Sequence, residues 1–261
     1  MTNDRLADPV SDHPLAFMRR ATPQLRAAVE THALRLPPAD FQELVANVRA
    51  LFAKYTAKLL EFAPGVQRGT ALHHMLDREL KAAAQIPVSC RKGCSGCCHY
   101  EVEVTQDEAA ILRNLVLGGV VIDFDRLDLQ AARERQSPEW KRFGHPDNRC
   151  VFLGEDGACR VYEDRPAICR KHIVTTPVSA CTTEGAAVAP VQVLLAEILL
   201  SADLSLTGTD FGSLASMLAQ SLHAASGRRA IEVPTPGRHS IRALAAQRDA
   251  LPLTAFPLRE N

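Results

Sequence analysis

Residues 90–100 read CRKGCSGCCHY, which places Cys90, Cys94, Cys97 and Cys98 within nine positions. The gaps of three and two residues let one tight loop point several sulfurs at a common centre. Gly93 and Gly96 suit such a loop, because a backbone that curls around an ion has little room for side chains. The first three cysteines also match the spacing of radical enzymes that use S-adenosylmethionine. Those loops usually place an aromatic residue just before the third cysteine. Here Gly96 stands there, and Cys98 is extra. A set of buried structural thiols is the weaker reading of so dense a group.

A second group lies downstream in CVFLGEDGACRVYEDRPAICR, residues 150–170, with Cys150, Cys159 and Cys169. Two apolar runs around Asp156-Gly157 predict a β-hairpin that draws Cys150 and Cys159 together. Arg165-Pro166 then opens a short helix bearing Cys169. Thiolates bind zinc in tetrahedral sites and iron in clusters. The expected metal ligands are therefore Cys90, Cys94, Cys97, Cys98, Cys150, Cys159 and Cys169. Four thiolates complete either a structural zinc site or one four-iron cluster, so seven do not choose between the two. Adjacent Cys97 and Cys98 diverge, so they serve two metals, or one ligates while the other packs.

The rest of the chain supports a metal over disulfides. It has 261 residues, 46% of them apolar, enough for one or two packed domains without a disulfide scaffold. Basic and acidic residues balance at 30 each, which argues against nucleic acid as a partner. The first ten residues, MTNDRLADPV, lack the apolar core of a signal peptide. The apolar runs LVLGGVVI and VQVLLAEILL are too short to span a bilayer. The expected setting is the cytoplasm, off the membrane, where clustered thiols bind metals more often than they form disulfides.

Around the cysteines the pattern is helical. Residues 1–20 read as a flexible arm and 21–87 as a helical region. Thr22-Pro23 starts one helix and Asp40, with Glu43, caps another. A third carries Leu72, Met75, Leu76 and Leu80. The cysteine module spans 88–175. Within it YEVEV predicts a short strand, Thr105 and Glu108 a capping box for a helix over 106–117, and a further helix covers 123–136. Residues 176–226 hold two helices, over 188–204 and 212–225, that pack on the module. The tail, 227–261, holds a weak helix near 239–249. The fold class is mostly α with a small β-hairpin, an irregular metal-stabilised cysteine module flanked by helices. The alternating strand–helix pattern of a radical-enzyme barrel is absent.

The two cysteine segments together resemble the zinc- or iron-chelating CxxxCxxCC cysteine-cluster family. That family pairs such a loop with a downstream C…C-x-x-Y…R-P-x-x-C-R segment. Cys90, Cys94, Cys97 and Cys98 match the first part. Cys150, Cys159, Tyr162, Arg165, Pro166, Cys169 and Arg170 match the second. The resemblance implies zinc or iron–sulfur binding by the seven shared cysteines. Flagellin lysine N-methylases contain a similar domain, which tips the expectation towards an iron–sulfur cluster over zinc.

Three functions fit these residues. The first is a chelator, sensor or carrier of the metal. The second is a cluster-dependent protein or peptide lysine N-methylase-like enzyme using S-adenosylmethionine, although no glycine-rich nucleotide loop follows a strand. The third is a zinc-stabilised module that binds another protein. No catalytic set can be named. Cys181 lies outside the matched pattern and reads equally as an eighth ligand or a free thiol. His99 and His172 flank the cysteines and read first as surface residues, as does the pair His73-His74. Arg165 and Arg170 are expected to brace the cluster or its charge, and Tyr162 to pack.

Overall fold

The computed structural model describes residues 13–81, 85–141 and 145–226. The described residues are mostly α-helical with one two-stranded antiparallel sheet. Thr22 caps α1 (Pro23–Ala33), its hydroxyl accepting the Leu25 N–H at 3.2 Å. The next helix, α2, runs over Pro38–Leu60. It begins two residues before the expected cap at Asp40. Pro38 fits the first helical position, and Asp40 instead places its carboxylate in the first turn, where the helix dipole favours it. Gly65, at φ +94°, breaks the chain before α3 (Val66–Leu80).

Beyond the cysteine loop, β1 (Glu103–Thr105) leads directly into α4 (Gln106–Leu117). Asp123 caps α5 (Phe124–Ala131), which ends five residues before the 136 its sequence pattern suggested. Cys169 lies on α6 (Ala167–Lys171). The chain then forms α7 (Leu194–Ser205), β2 (Phe211–Ser213) and α8 (Leu214–Ala225). The weak helix near 239–249 falls outside the described residues.

The sheet pairs Glu103 with Ser213, Val104 with Gly212 and Thr105 with Phe211. Each strand runs into a helix, and α4 and α8 pack on each other. The turn at Asp156-Gly157 forms, with Gly157 at φ +74° and the Gly154 N–H donating to Ala158 O at 2.8 Å. Its arms share a single antiparallel bridge, Leu153 with Cys159. The arms do not extend further because Cys150–Leu153 closes its own turn, Leu153 N–H to Cys150 O at 3.0 Å. Val151, Phe152 and Val161 bury their side chains against helices instead.

Two cores hold the site between them. The first gathers α1, α2, α3 and α7, with Ala167 of α6 buried against it. Leu15 and Met18 are buried in this core as well, so residues 13–20 are packed where a loose arm was expected. Their apolar side chains cover the first helices. The second core gathers β1, α4, α5, α8 and residues 151, 152 and 161. Gly69 lets α3 lie close on α4: a β-carbon there would sit 2.9 Å from the Asp107 carbonyl oxygen. Among the described residues no helix is long and apolar enough to cross a membrane.

Candidate metal centre

The loop that opens the site is pinned at both ends. The Ser89 N–H donates to Val174 O at 2.8 Å, and the Val174 N–H donates to the Cys90 sulfur at 3.4 Å. Gly93, at φ +87°, allows the turn in which the Cys94 N–H reaches Arg91 O at 3.0 Å. Residues Gly96–His99 form one 3-10 turn that carries Cys97 and Cys98. The Cys150 N–H donates to the Cys98 carbonyl at 2.7 Å, which joins the two cysteine segments directly.

Cys181 also belongs here. It is buried, and a β-carbon on Gly96 would lie only 2.8 Å from the Cys181 β-carbon. The Tyr100 hydroxyl donates to Cys181 O at 2.8 Å. So the residue that fell outside the sequence pattern packs against the middle of the first cysteine loop. Spacing gave no hint of this. The even total of eight cysteines was the available signal.

Cys169 is positioned by the helix beneath it. The Ala167 N–H donates to Glu108 at 2.6 Å. Arg170 donates to both oxygens of Asp77, at 3.0 and 2.9 Å. Lys171 donates to Glu197 at 2.6 Å. Carboxylates from α4, α3 and α7 thus hold one five-residue helix. Glu108 also accepts the Thr105 N–H at 3.2 Å and lies 3.1 Å from His73 Nε2. His73 is therefore a buried partner rather than half of a solvated pair. Arg170 braces the helix, while the Arg165 guanidinium stacks 3.7 Å above the Tyr162 ring.

The thiols are unequal. A hydrogen bond from the Cys98 thiol, aided by Arg165, pushes Cys97 down to about 7. Cys98 keeps the shared proton and is raised. Burial pushes Cys150 up to about 11 and Cys169 well above the ordinary thiol value. Burial also raises Cys90, Cys159 and Cys181. Each of these six thiols is raised further by neighbouring Cys97. Thiols packed this way hold their protons until a cation replaces them, since only thiolates ligate.

All eight cysteines are free. Among the described residues, no three His, Cys, Asp or Glu side chains stand close enough together to hold an ion as they are oriented. The donor chemistry fits zinc or iron, and the backbone brings the cysteine-bearing segments to one place. His99 is half-buried on the 3-10 turn. The Nε2 atom of His172 is buried without a hydrogen bond to the described residues. An open apolar groove of about 530 Å³ between α2 and α3 includes no residue of the cysteine module in its lining.

A helical scaffold with eight clustered free thiols defines the class: a cysteine-cluster protein. Residues 89–186 match the model of the CxxCxxCC family, described as "Putative zinc- or iron-chelating domain". The match takes in all eight cysteines and reaches past the segment recognised from spacing. No curated protein and no solved structure matches the chain.

Proposed function

We propose that the chain is a metal-binding protein that holds iron or zinc on the thiolates of its central module and acts as a chelator, sensor or carrier in the reducing cytoplasm. The supporting observation is the convergence of segments: the Cys150–Cys98 backbone bond joins two cysteine groups, and Cys181 packs onto the same loop. An iron–sulfur centre is the first form, following the resemblance to the flagellin methylases, and zinc is the second. Residues Cys90, Cys94, Cys97, Cys98, Cys150, Cys159 and Cys169 are the ligands. A protein partner would donate or receive the metal. Bound to thiolates, zinc supplies a structural cross-link and an iron–sulfur centre supplies electron transfer.

The test is metal analysis and an absorbance spectrum of protein purified anaerobically under reducing conditions. Iron with broad visible absorption supports the first form. Stoichiometric zinc in a colourless sample supports the second. Protein that neither carries nor takes up either metal would refute the reading.

A further inference from the structure

We infer that residues 175–190 form a strap across the first cysteine loop, latched by the Tyr100 hydroxyl on the Cys181 carbonyl, and that opening this latch sets how fast metal enters or leaves the loop. The inference rests on the metal-binding reading above and concerns how that same site is reached.

One segment of chain holds the loop at both ends. At the near end the Ser89 N–H donates to Val174 O, and the Val174 N–H donates to the Cys90 sulfur. At the far end Cys181 packs on Gly96, and Tyr100 donates to Cys181 O at 2.8 Å. Thr182 lies against Gly96 as well: a β-carbon there would meet Thr182 Cγ2 at 3.3 Å. Gly96 is buried and opens the 3-10 turn that carries Cys97 and Cys98. From this side the turn is reached only once Cys181 and Thr182 lift away.

The strap is closed at its neck. The Thr175 N–H donates to Ala189 O at 3.0 Å, the Val191 N–H donates to Ile173 O at 2.8 Å, and Val174 bridges Pro190. Beyond the neck the strap bonds largely to itself. The Ala180 N–H donates to Pro177 O at 2.9 Å, and the hydroxyls of Thr182 and Thr183 both donate to Ser179 O. The 3-10 turn Val178–Thr182 can therefore move as a unit about the neck. Closed ends and internal bonding are the marks of a compact surface loop, a type often functional.

The tip is lightly fastened. Of residues 175–190, Cys181 alone is buried. The stretch TTPVSACTTEGAAVAP holds no aromatic residue and no apolar side chain larger than valine. Segments with few buried apolar contacts open at far lower free energy than the whole fold. One small buried side chain and one hydroxyl bond thus hold the tip, while backbone bonds hold the neck.

The test uses the full chain and the variant Tyr100→Phe, which removes the latch hydroxyl and keeps the ring. Three quantities are measured: metal content, the rate of metal transfer to a coloured chelator under anaerobic reducing conditions, and the alkylation rate of Cys181 in metal-free protein. Losing one hydrogen bond should speed both transfer and Cys181 alkylation roughly two- to tenfold. Metal content should stay unchanged, and so should alkylation of Cys169, which lies on α6. Thr182→Ser removes the methyl against Gly96, keeps the hydroxyl that bonds Ser179 O, and repeats the test should Tyr100→Phe fold poorly. Faster Cys181 alkylation with unchanged metal transfer would overturn the gating role. Unchanged alkylation would overturn the latch itself. Loss of metal content in Tyr100→Phe would also overturn it, by making Tyr100 part of the site. If the wild type takes up no metal, the metal-binding reading is what fails, and Cys181 alkylation still decides the latch.

Discussion

The backbone N–H of Ala167 donates to the Glu108 carboxylate at 2.6 Å, so the helix bearing Cys169 begins on a side chain from α4. The same carboxylate closes the capping box at Thr105 and meets His73 of α3. Glu108 is 3% exposed, so water cannot replace it. Glu108→Ala should orphan these buried partners and cost about 3 kcal/mol. Glu108→Gln keeps an acceptor and should cost less. Urea unfolding at equal metal loading reads both, and equal stability of Glu108→Ala and wild type would refute the role.

The glycines of the first cysteine loop should separate by mechanism. Gly96→Ala would bring a β-carbon to 2.8 Å from that of Cys181, and a rigid contact on both sides leaves little to give. It should cost about 1–3 kcal/mol and loosen Cys181. Gly93→Ala meets nothing within 4 Å but sits at φ +87°. Its cost is backbone strain alone, about 1–2 kcal/mol. Alkylation of Cys181 distinguishes them: faster in Gly96→Ala, unchanged in Gly93→Ala.

Local chemistry made much of this fold legible. Thr22 with Pro23, Thr105 with Glu108, and Gly118-Gly119 mark helix ends by hydrogen-bonding and backbone preferences, and α1 and α4 begin where those residues put them. Partners distant in sequence were not legible. Nothing near Glu103 says that its strand pairs with Ser213. Nothing near His73 says that it meets Glu108 across two helices. The site shows the same limit: gaps of two and three residues exposed the first loop, whereas Cys181 reaches that loop through tertiary packing alone.

Metal removal should act on loops more than on helices. The cysteine segments are held by few backbone bonds and by turns, while α2 lies along α7 and α3 along α4 and α7. Metal binding by thiolates supplies on the order of 10 kcal/mol. Limited proteolysis after chelation should therefore introduce cuts within 88–100 and 145–186, while fragments spanning α1–α3 persist with their α7 partner. The same cleavage pattern with and without chelator would show that the loops stand without metal.

Asp203 on α7 provides a pH test away from the thiols. It is buried, and its Oδ1 makes no hydrogen bond to the described residues. Burial raises its carboxyl well above the usual range, and the nearby Glu108 and Asp107 raise it further. Arg68 and the neighbouring Thr105 act in the opposite direction and are outweighed. The folded state thus binds this proton more tightly than the unfolded chain, whose Asp titrates near 3.9. Stability from this group is fully present below that value and is lost as pH rises through the raised folded value. Asp203→Asn is a neutral mimic of the protonated form, so it should be more stable than wild type at neutral pH. Its advantage should shrink as pH falls towards about 4. Urea denaturation midpoints of both proteins across this range, at fixed metal loading, read the difference directly. A variant that is less stable at neutral pH, or whose advantage does not change with pH, would show that Asp203 is ionised and paired in the folded protein.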